Sequence, residues 1–154
     1  MRAVKRSARF EPIVRQLAVS THPTAKRQIF PSMRELMCFA AVLGFDRNSM
    51  RALDAETEEI DGRIFEAHQQ SIDLIYLISL AKSRDVEILR DENMDRAISI
   101  FEEYADGGLS IIESWLKERA DDEQGDVALL AALRKYGYLP VARTAAEAAA
   151  DVSF

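Results

Sequence analysis

Two histidines, one cysteine and one run of carboxylates are the side chains in this sequence with types suited to chemistry. His22 precedes a proline, and His68 lies in the polar run 66–70. Neither has a second histidine four residues away, the spacing by which one helix face offers two imidazoles to zinc, so both are expected on the surface. Cys38 sits inside the apolar run 36–43. It reads better as a small buried hydrophobe than as a reactive thiol, because no His or cationic neighbour is placed to lower its pKa. A lone cysteine forms neither an intramolecular disulfide nor a cysteine-based zinc site. Asp91, Glu92 and Asp95, with Glu102 and Glu103, could gather a divalent cation through their oxygens and so serve a metal-dependent nuclease subunit. The acids at 91–95 also suit the positive end of a helix that starts there, which explains them without a metal, and no His or Lys accompanies them to assist hydrolysis. No Gly-x-Ser-x-Gly, phosphate-binding loop or GxGxxG is present. The expectation is no catalytic residue, no cofactor and no metal.

Charge is distributed unevenly. The formal net charge is −6. Residues 1–30 hold seven basic groups and one acid, a balance of +6, while the other 124 residues hold 13 basic and 25 acidic groups, a balance of −12. Arg2, Lys5, Arg6, Arg9, Lys26 and Arg27 are therefore the candidates for nucleic-acid contact. A basic arm can neutralise phosphates, pack on its own acidic body, or remain solvated. The acidic body does not favour DNA over a broad face, and Phe10 is the one aromatic nearby, so base stacking is not indicated.

The elements that must position these groups read as helices. The chain has 154 residues, 48% hydrophobic and 30% charged, enough for one domain with a real core. Residues 11–19 suit a short helix with Pro12 in its first turn, ended by Thr-His-Pro-Thr at 21–24. Ser32 and Glu35 have capping-box spacing ahead of a helix over 33–43, which Gly44 is expected to end. Residues 45–62 read as an exposed connection with a short extended piece at 57–60. A helix is expected over 64–82, then a turn at 83–87. Across 94–119, Ala97, Phe101, Tyr104, Gly108, Ile111 and Trp115 step by four and three, the seam of a long helix packed against others. The phase survives Gly107-Gly108, so one helix passes through the pair, and Gly108 is expected to admit a close backbone. Gly107, beside the seam, is expected to tolerate alanine. Phe101, Tyr104, Gly107, Gly108 and Trp115 form a candidate helix-packing or partner surface. A short helix over 127–136 turns Leu129, Leu130 and Leu133 inward, ahead of an alanine-rich segment from Val141.

These readings give a mainly α fold: a single compact helical domain of about five helices with short extended pieces. Residues 1–28 form a basic N-terminal arm with a short helix, 29–139 the helical core, and 140–154 a tail that is frayed or disordered. The longest apolar run, 36–43, has eight residues, far below the roughly 20 that span a bilayer. Residues 1–10 have a positive start but no apolar stretch behind it, unlike a signal peptide. A cytoplasmic protein is expected.

Two phrases carry a family likeness. Ile29-Phe30-Pro31 with MRELMCFAAVLGF at 33–45, and FEEYADGGLSIIESWL at 101–116, resemble the Dnd-system-associated protein 4 family. This is a small bacterial group that accompanies DNA phosphorothioation modification and restriction genes. The likeness covers roughly 29–118, outside both the basic arm and the tail. It implies a setting in anti-phage defence or its control, and carries no catalytic residues with it. The expected function is a non-enzymatic accessory protein, adaptor or regulator, of such a system, with the system's proteins as partners and no membrane; an oligomer is compatible with this reading. The alternatives are a small DNA-binding regulator that uses the basic arm, or the nuclease subunit.

Overall fold

A computed structural model of the protein describes residues 1–140. Among them are six helices and two strands: β1 (Val4–Ser7), α1 (Glu11–Ala18), α2 (Met33–Asp46), β2 (Thr57–Ile60), α3 (Gly62–Glu66), α4 (Gln69–Ser83), α5 (Met94–Lys117) and α6 (Asp126–Lys135). The domain is mainly α, with the strands as a two-stranded antiparallel sheet in which Val4 faces Ile60 and Ser7 faces Thr57.

Local chemistry explains most boundaries. Pro12 lies in the first turn of α1, whose Ile13, Val14, Leu17 and Ala18 are buried. Ser32 Oγ accepts the Glu35 N–H at 3.2 Å and opens α2. Asp61 caps α3 by accepting the Arg63 N–H at 2.9 Å. That carboxyl is held down at about 2, chiefly by hydrogen bonds from the Arg63 side chain. Gly125 and Gly137 bracket α6 with φ of 85° and 81°, a left-handed backbone that glycine adopts without a Cβ penalty.

The core forms around α5, a single helix of 24 residues that runs straight through Gly107-Gly108. Ala97, Phe101, Tyr104, Gly108 and Trp115 of the seam are buried, Ile111 is half-buried while Ile112 beside it is fully buried, and Tyr104 to Leu109 are buried without interruption. Helix α2 is its most extensive partner, with α4 and β1 on other sides. A methyl group on Gly108 would lie 1.8 Å from the Ala40 carbonyl oxygen, and one on Gly44 would lie 2.0 Å from that of Tyr104. The two helices thus meet backbone to backbone.

Several expectations are corrected here. Gly44 does not end α2; it lies inside the helix and is buried because Tyr104 of α5 passes over it. Gly107 is no tolerant position, since a methyl there would lie 1.8 Å from the Ser49 carbonyl oxygen. The helix expected over 64–82 is two helices, separated at Ala67-His68. The separation lets Phe65 turn onto Phe101, edge to face at 6.0 Å. Leu130 faces outward, while Leu129 is buried. The first 18 residues are not a free arm: Val4, Phe10, Val14 and Leu17 are core residues. The tail reading falls on 141–154, outside the described residues.

Gly108→Ala, Gly107→Ala and Gly44→Ala should each destabilise the protein by about 1–3 kcal/mol, the usual cost of forcing atoms into a packed contact. Urea unfolding midpoints measure this. A neutral or stabilising Gly108→Ala would show that α2 and α5 can separate freely.

Candidate functional site

The carboxylates that look most chemical are Glu102 and Asp106 on α5, one helical turn apart and both buried. Glu102 Oε1 accepts the backbone N–H of Lys5 at 2.6 Å, and Asp106 Oδ1 accepts that of Ser7 at 3.0 Å. Four helical residues rise about 6.0 Å and two strand residues about 6.6–6.8 Å, so the two carboxylates match alternate N–H groups of β1. They satisfy the strand edge that β2 does not cover.

Each carboxylate is neutralised in place. Arg2 grips Glu102 with two nitrogens, at 2.6 and 2.9 Å, and these hydrogen bonds raise the guanidinium pKa further. Arg51 Nη1 donates to Asp106 Oδ2 at 2.9 Å and to Ser7 Oγ at 3.1 Å, while Ser7 Oγ itself donates to Asp106. The Asp54 N–H donates to Ser7 Oγ at 2.8 Å. Ser7 and Asp106 are fully buried, and the Ser7 hydroxyl donates to Asp106 while it accepts from Arg51 and the Asp54 N–H, so its hydrogen bonds are filled from within the chain. The chemistry of the cluster is the positioning of backbone.

The six basic candidates fall in two places. Arg2, Arg6 and Arg9 pair with Glu102, Glu11 and Glu113; Arg6 is buried and its Nε has no hydrogen-bond partner. Lys5 is exposed on β1. Lys26 and Arg27 belong to the turn before α2, where the Arg27 carbonyl accepts the His22 N–H at 2.9 Å. Of the six, Arg2 and Arg9 are thus used against acids of the body and Arg6 against Glu11 of its own segment.

Phe101, Tyr104, Gly107, Gly108 and Trp115 are all buried. They pack helices and offer no surface to a partner. Asp91 and Glu92 sit in the turn that precedes α5, and Asp95 in its first turn, while Glu102 points inward to Arg2. Among the described residues, no group of three His, Cys, Asp or Glu side chains is arranged to hold a metal ion. Cys38 is half-buried, its Sγ 3.8 Å from Ser71 Oγ, and burial pushes its thiol pKa up.

A cleft of about 420 Å³ lies between the 22–30 turn, Phe39 of α2, and Leu129, Leu130 and Leu133 of α6. His22 sits at its edge. Its Nδ1 accepts the N–H groups of Thr24 and Ala25, at 3.2 and 3.1 Å. The ring hydrogen therefore falls on Nε2, which faces Asp126 Oδ2 at 3.2 Å. His22 closes the turn onto α6. Beyond the cleft, Val42 and Phe45 of α2 are exposed, and Tyr138 hydrogen-bonds Asp46 at the same end. The sequence reading missed both the Ser7–Arg51–Asp106 cluster and this cleft. The two serine contacts of Asp106 lie 99 residues away along the chain, beyond any local pattern, although an acid on a helix face with no basic neighbour was a usable signal.

Fold and site together define a small, mainly helical domain whose buried acids hold a basic edge strand in place. The chain belongs to the DNA sulphur modification system-associated protein 4 family, whose model matches residues 3–139. The match takes in the N-terminal segment, which the likeness of the two phrases had left out. No curated protein and no solved structure matches the chain. No helix among the described residues is long and apolar enough to cross a membrane.

Asp106→Ala would leave the buried Ser7 N–H without its acceptor, while Arg51 keeps Asp54, and should cost about 1–3 kcal/mol. Glu113→Ala, which removes an ion pair to the half-exposed Arg9, should cost at most about 1 kcal/mol. Urea unfolding compares the two, and equal losses would show that the buried cluster carries no special weight. Cys38 should react with iodoacetamide more slowly than free cysteine at pH 8, because its raised pKa leaves less thiolate. Mass spectrometry follows the reaction, and urea should abolish the difference.

Proposed function

We propose that this protein is a non-enzymatic accessory component, adaptor or regulator, of a bacterial DNA phosphorothioation system that serves anti-phage restriction, and that it works by contact with the system's other proteins. The family's association with DNA sulphur modification supplies the setting. The observation that carries the protein-contact reading is where the reactive-looking groups are spent. Glu102, Asp106, Arg2 and Arg51 are consumed in fixing β1 against α5. Arg2, Arg6 and Arg9, three of the six candidates for phosphate contact, face carboxylates of the same chain. A DNA-binding arm would have to break those pairs and pull core residues Val4 and Phe10 out with it. That is a heavy cost for a sequence-independent contact, which salt screens in any case.

The protein, tagged and expressed with the DNA sulphur modification proteins of the same genome, should co-purify with at least one of them at physiological salt. It should not retard duplex DNA in a gel at the same salt, whether or not the DNA is phosphorothioated. Retardation that disappears on charge reversal at Arg2, Lys5, Arg6 and Arg9, without co-purification, would replace this reading with the DNA-binding regulator.

A further inference from the structure

The two strands are treated differently at their outer edges. On β1, the N–H groups of Lys5 and Ser7 point away from β2 and are taken by Glu102 and Asp106. The alternate groups pair with β2, and the Ala8 N–H continues that ladder to the Glu56 carbonyl at 2.9 Å. In an antiparallel pair this alternation fixes the other strand too. Thr57 and Glu59 of β2 therefore aim their N–H and C=O groups outward, away from β1. Nothing among the described residues covers them: the sheet has two strands, and residues 54–59 are all exposed.

We propose that the outer edge of β2 is a docking edge for an extended, basic segment of a partner protein, which adds a third strand beside Thr57–Ile60. The proposal rests on the protein-contact reading above and names the surface and the partner's chemistry. Three observations select this occupant. An unpaired strand edge presents backbone donors and acceptors that another strand satisfies directly. The edge carries Glu56, Glu58 and Glu59, none of which forms an ion pair among the described residues. The strand already bound on the inner edge is itself basic, with Lys5 in register with Glu59 and Arg6 with Glu58; Arg6 pairs with Glu11, so the glutamates of β2 keep their charge for a second basic neighbour. A second copy fails the same test, because antiparallel pairing of two β2 strands would set glutamates against glutamates. The chain's own segment 140–154 has one arginine against two acids and no basic run.

The probe is an acetylated, amidated hexapeptide, Thr-Val-Lys-Lys-Val-Thr, titrated into the full-length ¹⁵N-labelled protein. Its control keeps the lysines and replaces both valines with proline, which cannot extend a ladder. The expected result is that the amide signals of Thr57 and Glu59 shift most and exchange more slowly with deuterium. Glu59→Pro removes an outward donor while leaving the N–H groups that face β1, so it should weaken the peptide at least about tenfold with the Arg6 amide still protected. Glu58→Lys with Glu59→Lys, which keeps every backbone donor, should weaken it as much. This second variant keeps the test open if the proline variant does not fold. The proposal is overturned by equal binding of the proline control, by shifts spread evenly over acids such as Asp91 and Glu92, or by no shift at millimolar peptide. If Glu59→Pro loses the peptide yet still co-purifies with the system's proteins, the edge is not the partner site, and the adaptor reading stands without it.

Discussion

The contact between the backbones of α2 and α5 is the constraint on which the rest depends. At Gly44 and Gly108 each helix presents no side chain, and the space a methyl would fill holds the other helix's carbonyl oxygen. Gly107 extends the contact to the Ser49 carbonyl just beyond α2. Glycine in a helix interior costs roughly 1 kcal/mol against alanine, so three such positions are retained at a loss that close packing must offset. In return α5 sits deep enough to be surrounded, with α2, α4 and β1 on its different sides.

That depth explains why α5 has a polar side in the interior. A helix surrounded by apolar elements would be apolar throughout. Here one side faces the edge of a strand, whose alternate N–H groups need acceptors. Glu102 and Asp106 supply them, and Arg2 and Arg51 neutralise the acids. The sheet needs only two strands because a helix stands in for the third on the β1 side. Among the described residues the β2 side has no such cover, and its protection against indiscriminate pairing is its own negative charge.

How much of this was legible in the sequence depended on the range of the interaction. The Ser32–Glu35 cap, the extended piece at Thr57–Ile60 and the passage of α5 through two glycines are local or periodic, and the chain states them. Gly108 was legible because its seam neighbours fix its direction. Gly44 was not, because a glycine after an apolar run is also the usual stop signal, and only the crossing of α5 decides between the two. The N-terminal basic residues misled for a similar reason. Their charge suggests an arm, whereas the acceptors of Arg2 and Arg9 lie 100 and 104 positions downstream. Val4 alternates with Arg6 on the buried side of β1, a pattern too short to outweigh the charge. The cleft beside α6 was illegible because it is formed by three separate segments.

The clamp on β1 also sets an order of events when the chain is made. Ser7 leaves the ribosome 99 residues ahead of Asp106. At roughly 5–20 residues per second, that is a delay of about 5–20 s. Strand β2 arrives midway and can pair with β1, yet the other edge of β1 has no acceptors until α5 is complete. During that interval the nascent hairpin exposes Val4 and Phe10, and both edges of the sheet are open. The basic residues of β1 then act as its guard, since like-charged strands on neighbouring nascent chains repel. Arg2, just ahead of β1, adds to that repulsion and ends as the counter-charge of Glu102, so one side chain helps keep the segment apart early and fasten it late.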